Sequence, residues 1–344
     1  KLYVSKLHML DWLHLLPLFL LLGWLIFLNP IHLGNMGGSG LKLPQNIISW
    51  GLMAILVATI WLTLSAGKTV RLTVASRWIL LSIAILGIPL FFSSPQWSDL
   101  ARMRWLGLLG GWVFYLSFLQ YNARPAQRYW LYYIIVAATV VQALIALLQF
   151  TLPEAVPAWF AYPQSGGRPF GVFQQVNVLA SFIATGLALS IMLMLLPGFT
   201  LTCSKRERLR QYALALILMV FPALLVWLQS RVGWLGGVIS GVLLLFIGAK
   251  AAPRKTVVAA SLMMMGITVA IVVQQYAHIT DIPHTGSNHA RMAILKGTLG
   301  MIAERPWVGW GYGSFEYHFQ HYLLAQGLSI LEAGVVTHPH NEIL

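Results

Sequence analysis

The last eight residues, THPHNEIL, place two imidazoles, an amide and a carboxylate within five positions of one another: His338, His340, Asn341 and Glu342. Pro339 between the histidines stiffens the turn. An imidazole with a reference pKa of about 6.5, held in place, is a natural general base near neutrality. His318 and His321 add two more imidazoles upstream, which raises a metal site as an alternative. No HExxH pattern or carboxylate-rich arrangement accompanies them, and no metal is expected.

Arginines supply the second chemistry. Arg231, in WLQSRVGWLGG, falls between two apolar runs only a few residues apart, where a charge is costly and marks a functional site. Arg168, in AYPQSGGRPFGVFQQVNVLASF, follows an SGG turn and precedes a proline that breaks any helix. Arg291 falls in the first turn of an amphipathic stretch, where the helix dipole disfavours a cation, so an anionic partner is expected. The planar guanidinium fork suits phosphate or pyrophosphate. Arg102 and Arg104 share this character, and for them and for Arg231 snorkelling to lipid phosphate or pairing with a carboxylate is the alternative. Gln174, Gln175 and Asn177 either cap the helix they precede or bind sugar hydroxyls and phosphate oxygens, for which amides offer donors and acceptors.

These residues hang on a chain that is 58% hydrophobic and only 9% charged, far from a soluble composition. Nine apolar runs, near residues 12–28, 47–66, 78–92, 103–120, 129–150, 177–196, 211–229, 234–249 and 256–275, are of the length that crosses a bilayer. Backbone amides in lipid must pair within their own segment, and the alternation of a membrane β-barrel is absent, so the fold class is all-α: a polytopic transmembrane helix bundle. We divide the chain into a bundle over residues 1–275 and a polar, partly helical loop segment over 276–344.

Loops rich in lysine and arginine alternate with loops nearly free of lysine, and 14 of the 22 basic residues lie in the first set. By the positive-inside rule the N-terminus is cytoplasmic and the segment after residue 275 lies outside. Topology therefore accounts for the net charge of +13, and a nucleic-acid partner is not expected. The single Cys203 excludes an internal disulfide. No cleavable signal peptide is evident. Gly233, Gly237 and Gly241 form a small-residue stripe suited to close helix packing.

In the outer segment, Met292, Leu295, Leu299 and Ile302 predict one apolar face of a helix over 288–304, ended by Pro306. A second short helix, SFEYHFQHYLLAQ, is expected to lie on the membrane with Phe315, Phe319, Tyr322 and Leu323 facing down. The intervening PWVGWGYGSF suits an interfacial loop or a sugar-stacking surface. The chain starts at Lys1 and stops inside a polar motif, so a fragment of a longer protein is expected.

From the fifth apolar run onward, GGRPFGVFQQVNVLASF, SRVGWLGG, ARMAILKGTLGMIAERPWVGWGYGSF and THPHNEIL resemble the bacterial O-antigen ligase and polymerase superfamily. Within it they are most similar to O-oligosaccharyltransferases that glycosylate periplasmic proteins. The first half resembles that family only in being hydrophobic. The resemblance implies en bloc transfer of an oligosaccharide from undecaprenyl pyrophosphate to an acceptor hydroxyl, at the periplasmic face of the inner membrane. It implies His340 as the essential histidine and Arg168, Arg231 and Arg291 around the pyrophosphate, with Gln175, Asn177, His338 and Asn341 as further substrate contacts. Family members continue past this motif with more transmembrane helices. Such a donor is already activated, so transfer independent of metal, ATP and cofactor is expected. The acceptor is a Ser or Thr of a periplasmic protein, with the lipid A core (ligase) or a second lipid-linked repeat (polymerase) as alternatives. A lipid-carrier or anion transporter is the competing class, although the internal repeats or broken helices it should show are not found.

Overall fold

A computed structural model of the protein describes residues 16–24, 44–64, 69–93, 95–121, 125–152, 154, 168–173, 175–201, 203–276, 285–307, 309–311 and 314–326. Among these residues every regular element is helical. In chain order the α-helices are α1 (Leu16–Gly23), α2 (Pro44–Leu62), α3 (Val74–Leu86), α4 (Pro95–Gln120), α5 (Pro125–Thr151), α6 (Val176–Leu195), α7 (Ser204–Leu228), α8 (Arg231–Ala251), α9 (Pro253–Tyr276), α10 (Thr285–Glu304) and α11 (Phe315–Ala325). Each of the nine predicted apolar runs overlaps one of the helices α1 to α9. Among the described residues six helices are long and apolar enough to span a membrane. They are α5 from Tyr129 onward, α6, α7, α8, α9, and α3 together with the 3-10 turn that follows it.

The helices fall into two compact units. One holds α1 and α5 to α9; the other holds α2, α3, α4, α10 and α11. In the first unit α6 is the core, with Leu179, Ala180, Ile183, Leu187, Ile191 and Leu193 all at most 2% exposed. Around it pack α5, α7 and α8, and α9 closes against α7 and α8. The predicted glycine stripe is a contact face of α8: Gly233 lies on Ala180, Gly237 near Ala184 and Gly241 near Ile191 and Met263, and Gly248, outside the predicted stripe, lies on Leu195. These pairs fix α6 and α8 as parallel neighbours. Parallel packing brings two lysine-bearing stretches, Lys205–Arg208 and Lys250–Lys255, to one end of the unit and the starts of α6 and α8 to the other.

Not every basic residue at the first of these ends is a free topology signal. Arg210 is 8% exposed, pairs with Glu207 at 2.6 Å, and donates to the Leu193 carbonyl at 2.8 Å and the Tyr133 hydroxyl at 3.3 Å. Glu207 also accepts from the Leu201 amide, so one ion pair joins α5, α6, α7 and the α6–α7 connection.

In the second unit α4 begins at Pro95 rather than at 103, so Arg102 and Arg104 ride on the helix. Arg102 stands 3.7 Å from Asp99, one turn back and well exposed, which is the carboxylate-paired alternative. At the far end of α4, Gln120 accepts from the Arg71 amide at 2.8 Å and donates to its carbonyl at 2.9 Å, tying the approach to α3 onto α4.

The α10–α11 pair differs from expectation. Its buried residues are Ile294, Met301, Phe319 and Leu323, whereas Met292 and Leu299 are about half exposed. Size explains the exchange. Gly297 admits the ring of Phe319 and Gly300 admits Tyr322, so the face with the smallest side chains accepts the aromatics of α11. Phe319 and Leu323 are consequently covered by α10 and are not free to face lipid.

Candidate functional site

The RPFG stretch is held by two side chains of α5. Gln149, 2% exposed, accepts from the Phe170 and Gly171 amides at 3.0 and 2.8 Å and donates to the Gly171 carbonyl at 2.7 Å. Gln142, also 2% exposed, accepts from the Val172 amide at 3.2 Å. Seven residues apart on a helix, the two glutamines share a face and give buried peptide groups the partners that an apolar surface could not. Gly171 sits at φ +62°, a conformation that side chains other than glycine resist. Here a Cβ would also stand 2.7 Å from the Gln142 Oε1. Arg168, half-buried, enters this turn two residues before the first gripped amide.

The SRVG stretch is built with equal constraint. Gln229 ends α7 in the left-handed region at φ 48°, which turns the chain sharply into α8. Ser230 caps α8 by accepting from the Gly233 amide at 3.3 Å. Arg231 is then the first residue of α8 and is exposed. Trp227 stacks on Phe150 at 5.2 Å and donates to the Ala270 carbonyl, fastening the end of α7 to α5 and α9.

One hydrogen bond joins the two motifs. The Ser230 hydroxyl donates to Asn177 Oδ1 at 2.9 Å, across 53 residues of sequence. Asn177, in the first turn of α6, is thus a bridge between helices and not a cap. Gln175 holds the cap position of α6 without a side-chain cap bond and is exposed. The starts of α6 and α8 therefore stand side by side, with Gly233 seated on Ala180 one turn further in. Neither helix has an acidic residue in its first turn. Two parallel helix N-termini carry partial positive charge, and Arg231 adds a full charge. This end of the unit is electropositive by construction, and such a junction suits an anion.

Arg291 is exposed on α10 in the second unit. Since α10 starts at Thr285, Arg291 occupies the second turn and not the first, past the strongest part of the helix dipole. His338, His340 and Asn341, with Gln174, lie outside the described residues. Of the predicted site residues, then, Asn177 is bonded directly to the serine that caps Arg231's helix, and Arg168 enters the turn clamped beside the start of α6. Gln142, Gln149 and Ser230 were not singled out by the sequence. A pair of amides seven apart in an apolar helix was the available signal for the first two.

A further cluster lies in the second unit. Trp97, Tyr317, His318, Trp310 and Arg305 form a chain of ring contacts, with Tyr317 and His321 centroids 4.1 Å apart and the Arg305 guanidinium 4.3 Å over Trp310. Partial burial, with the nearby Arg305 and His321, lowers the His318 pKa below the usual imidazole value. Among the described residues no three His, Cys, Asp or Glu side chains gather to hold a metal ion.

An O-antigen ligase family model matches residues 212–344, and a protein glycosylation ligase model matches residues 169–193. No curated protein matches the chain, and no solved structure does. The two matched stretches are the ones that the Ser230 to Asn177 hydrogen bond joins. The second half of the chain is thus similar to O-antigen ligases, and the start of α6 to protein glycosylation ligases.

Proposed function

We propose that this protein is an inner-membrane oligosaccharyltransferase that moves a preassembled glycan from undecaprenyl pyrophosphate to Ser or Thr hydroxyls of periplasmic proteins. Similarity to two ligase families supports glycan transfer as the general activity. The observation that carries the finer reading is the junction of α6 and α8, where the Asn177–Ser230 bond aligns two helix N-termini beside Arg231, near the turn that Arg168 enters. A pyrophosphate carried on a lipid is an anion that such a junction suits.

In this reading the start of α6 and α8, with residues 276–344, faces the periplasm, and the lysine-rich end faces the cytoplasm. His340 accepts the proton of the acceptor hydroxyl as its oxygen attacks the anomeric carbon, contributing about 10² to 10⁴ in rate. The bond from that carbon to pyrophosphate breaks as the new one forms, so the anomeric centre inverts. The lipid pyrophosphate leaves with the electron pair. Arg168, Arg231 and Arg291 stabilise the charge that develops on it. Gln175, Asn177, His338 and Asn341 contact glycan or phosphate oxygens. Neither a metal nor a cofactor takes part in this scheme.

The experiment reconstitutes the full-length protein with a lipid-pyrophosphate oligosaccharide and offers a periplasmic protein and a lipid A core side by side. Glycan on the protein, lost in His340→Ala, is the expected outcome. Glycan on neither acceptor from folded protein refutes the reading. Arg231→Lys should keep the charge and lose much of the activity, because the fork is gone. The longer of the two matched stretches belongs to the O-antigen ligase model, and it favours transfer to lipid A core as the second reading.

A further inference from the structure

Two faces of α11 differ in kind. Phe315 and Phe319 stack on one another and, with Leu323, carry no polar side-chain atom on the side that α10 covers. Tyr317, His318 and His321 all carry polar atoms and are half-buried or exposed. Their rings meet Trp97 of α4 and Trp310 of the connection that leads into α11, and each of these contacts is tilted or edge-on. Gly311, at φ +92°, lets that connection close on the entry to α4: a Cβ there would stand 3.1 Å from the Ser93 Cα. Two segments distant in sequence thus build one wall of rings with polar edges.

The polar atoms of the wall are not used up by the fold. Trp61, Trp105, Trp112, Trp227 and Trp310 each donate the indole N–H to an oxygen of the chain. Trp97 Nε1, in contrast, is buried and among the described residues has no hydrogen-bond partner. Such a donor is costly and calls for an oxygen that the fold does not supply. His321 Nδ1 donates to the Tyr317 carbonyl at 3.0 Å, which leaves Nε2 as an acceptor on an exposed ring. The Arg305 guanidinium lies 4.3 Å over Trp310, and a guanidinium stacked on a ring keeps its N–H edge for pairs of oxygen atoms.

We propose that this wall is a carbohydrate-binding surface: Tyr317, Trp97 and Trp310 meet the C–H groups of a sugar, while Trp97 Nε1, His321 Nε2 and Arg305 take its hydroxyls. The inference stands on the cluster itself and does not require the transfer chemistry above. A hydrocarbon chain would leave the donors unsatisfied, and a bare anion would not use the rings. A lipid interface also collects tryptophan and tyrosine, but it turns their polar tips to water and headgroups, whereas the N–H of Trp97 is turned inward. Tyr317, 41% exposed, is the ring whose shift would admit a hydroxyl to it.

The test uses the full-length protein in nanodiscs, with tryptophan carrying nitrogen-15 at Nε1. Two probes separate the sources of sugar: the oligosaccharide released by mild acid from the cell's lipid-pyrophosphate pool, and the core oligosaccharide cut from lipid A. One of them should receive saturation transfer from the protein, which assigns the surface to the donor or to the acceptor. The Trp97 indole signal, identified by its loss in Trp97→Phe, should move as that sugar is added. Trp97→Phe should weaken binding about fivefold, the worth of one hydrogen bond, and Tyr317→Leu by about tenfold, the worth of an aromatic contact. Trp78→Phe, on the exposed surface of α3, should bind as the parent does. Saturation transfer to neither probe from folded protein, a Trp97 signal that stays still, or parent-like affinity in Tyr317→Leu would overturn the assignment. Sugar binding without glycan transfer to any acceptor would uphold the surface and remove the transferase reading.

Discussion

Gly233→Ala tests the junction of α6 and α8 at its tightest point. A methyl group there would stand 2.5 Å from Ala180 Cβ and 3.2 Å from the Ala180 carbonyl carbon. Carbon atoms rest at roughly 3.5 to 4.0 Å, so the helices must separate by about 1 Å or more. The Ser230 to Asn177 bond, now 2.9 Å, lies three residues away and would stretch past 3.5 Å, where little of it remains. Overpacking costs about 1 to 3 kcal/mol, and the lost hydrogen bond adds about 1 kcal/mol. The better helix propensity of alanine returns about 1 kcal/mol. A net loss of about 1 to 3 kcal/mol is expected, read as a lower unfolding temperature of the full-length protein in one detergent. Ala180→Gly in the same chain removes the opposing methyl and should restore most of that loss, and donor affinity with it. Gly233→Ala as stable as the parent, or a double variant no better than the single one, would refute the packing argument.

Gln149→Leu strips three hydrogen bonds from the Phe170 and Gly171 peptide groups in a buried site, at about 1 to 3 kcal/mol for each group left unpaired. Hydrogen exchange at residues 170–172 should accelerate while α8 stays protected, and unchanged protection would count against the clamp. Glu207→Gln leaves the Arg210 guanidinium buried without its counter-charge, and a loss of about 3 kcal/mol is expected from thermal unfolding; parent-like stability would show that Arg210 is already solvated. His318 has a lowered pKa in the folded chain, so the unfolded chain binds more protons as pH falls through about 6.5. Protection of residues 294–323 should therefore hold above that pH and decline below it. His318→Gln should flatten the dependence, and an unchanged profile in that variant would assign the effect to another group.

What the sequence reveals and what it hides divide along physical lines. The helices α1 to α9 are legible because apolar length is a local property, and the stripe of Gly233, Gly237 and Gly241 is legible because small residues at four-residue spacing have one main use in a membrane. The buried face of α10 was misjudged because periodicity counts large apolar side chains. There the contact was selected by smallness, with Gly297 and Gly300 receiving rings from α11. The start of α4 was placed too late because Asp99, Arg102 and Arg104 mask a helix that Pro95 opens at a position proline favours. Gln142 and Gln149 were passed over for a related reason. Amides inside an apolar run look like blemishes until the turn that they grip is known, and that turn lies 21 to 30 residues away.

The α7–α8 turn gathers local costs that the rest of the bundle avoids. Gln229 is the one non-glycine residue at positive φ among the described residues, a conformation that costs of order 1 kcal/mol or more. Arg231 places a cation at the helix end where the dipole opposes it, by about 0.3 to 1 kcal/mol. Neither α6 nor α8 carries an acidic residue in its first turn. Such a turn persists because its surroundings over-determine it: Ser230 bonded to Asn177, Gly233 seated on Ala180, and Trp227 stacked on Phe150 and bonded to α9. A bundle tuned for stability alone would place an acidic residue after Ser230 and a glycine at 229. Local conflict held in place by consistent packing is the pattern expected where a fold carries a ligand.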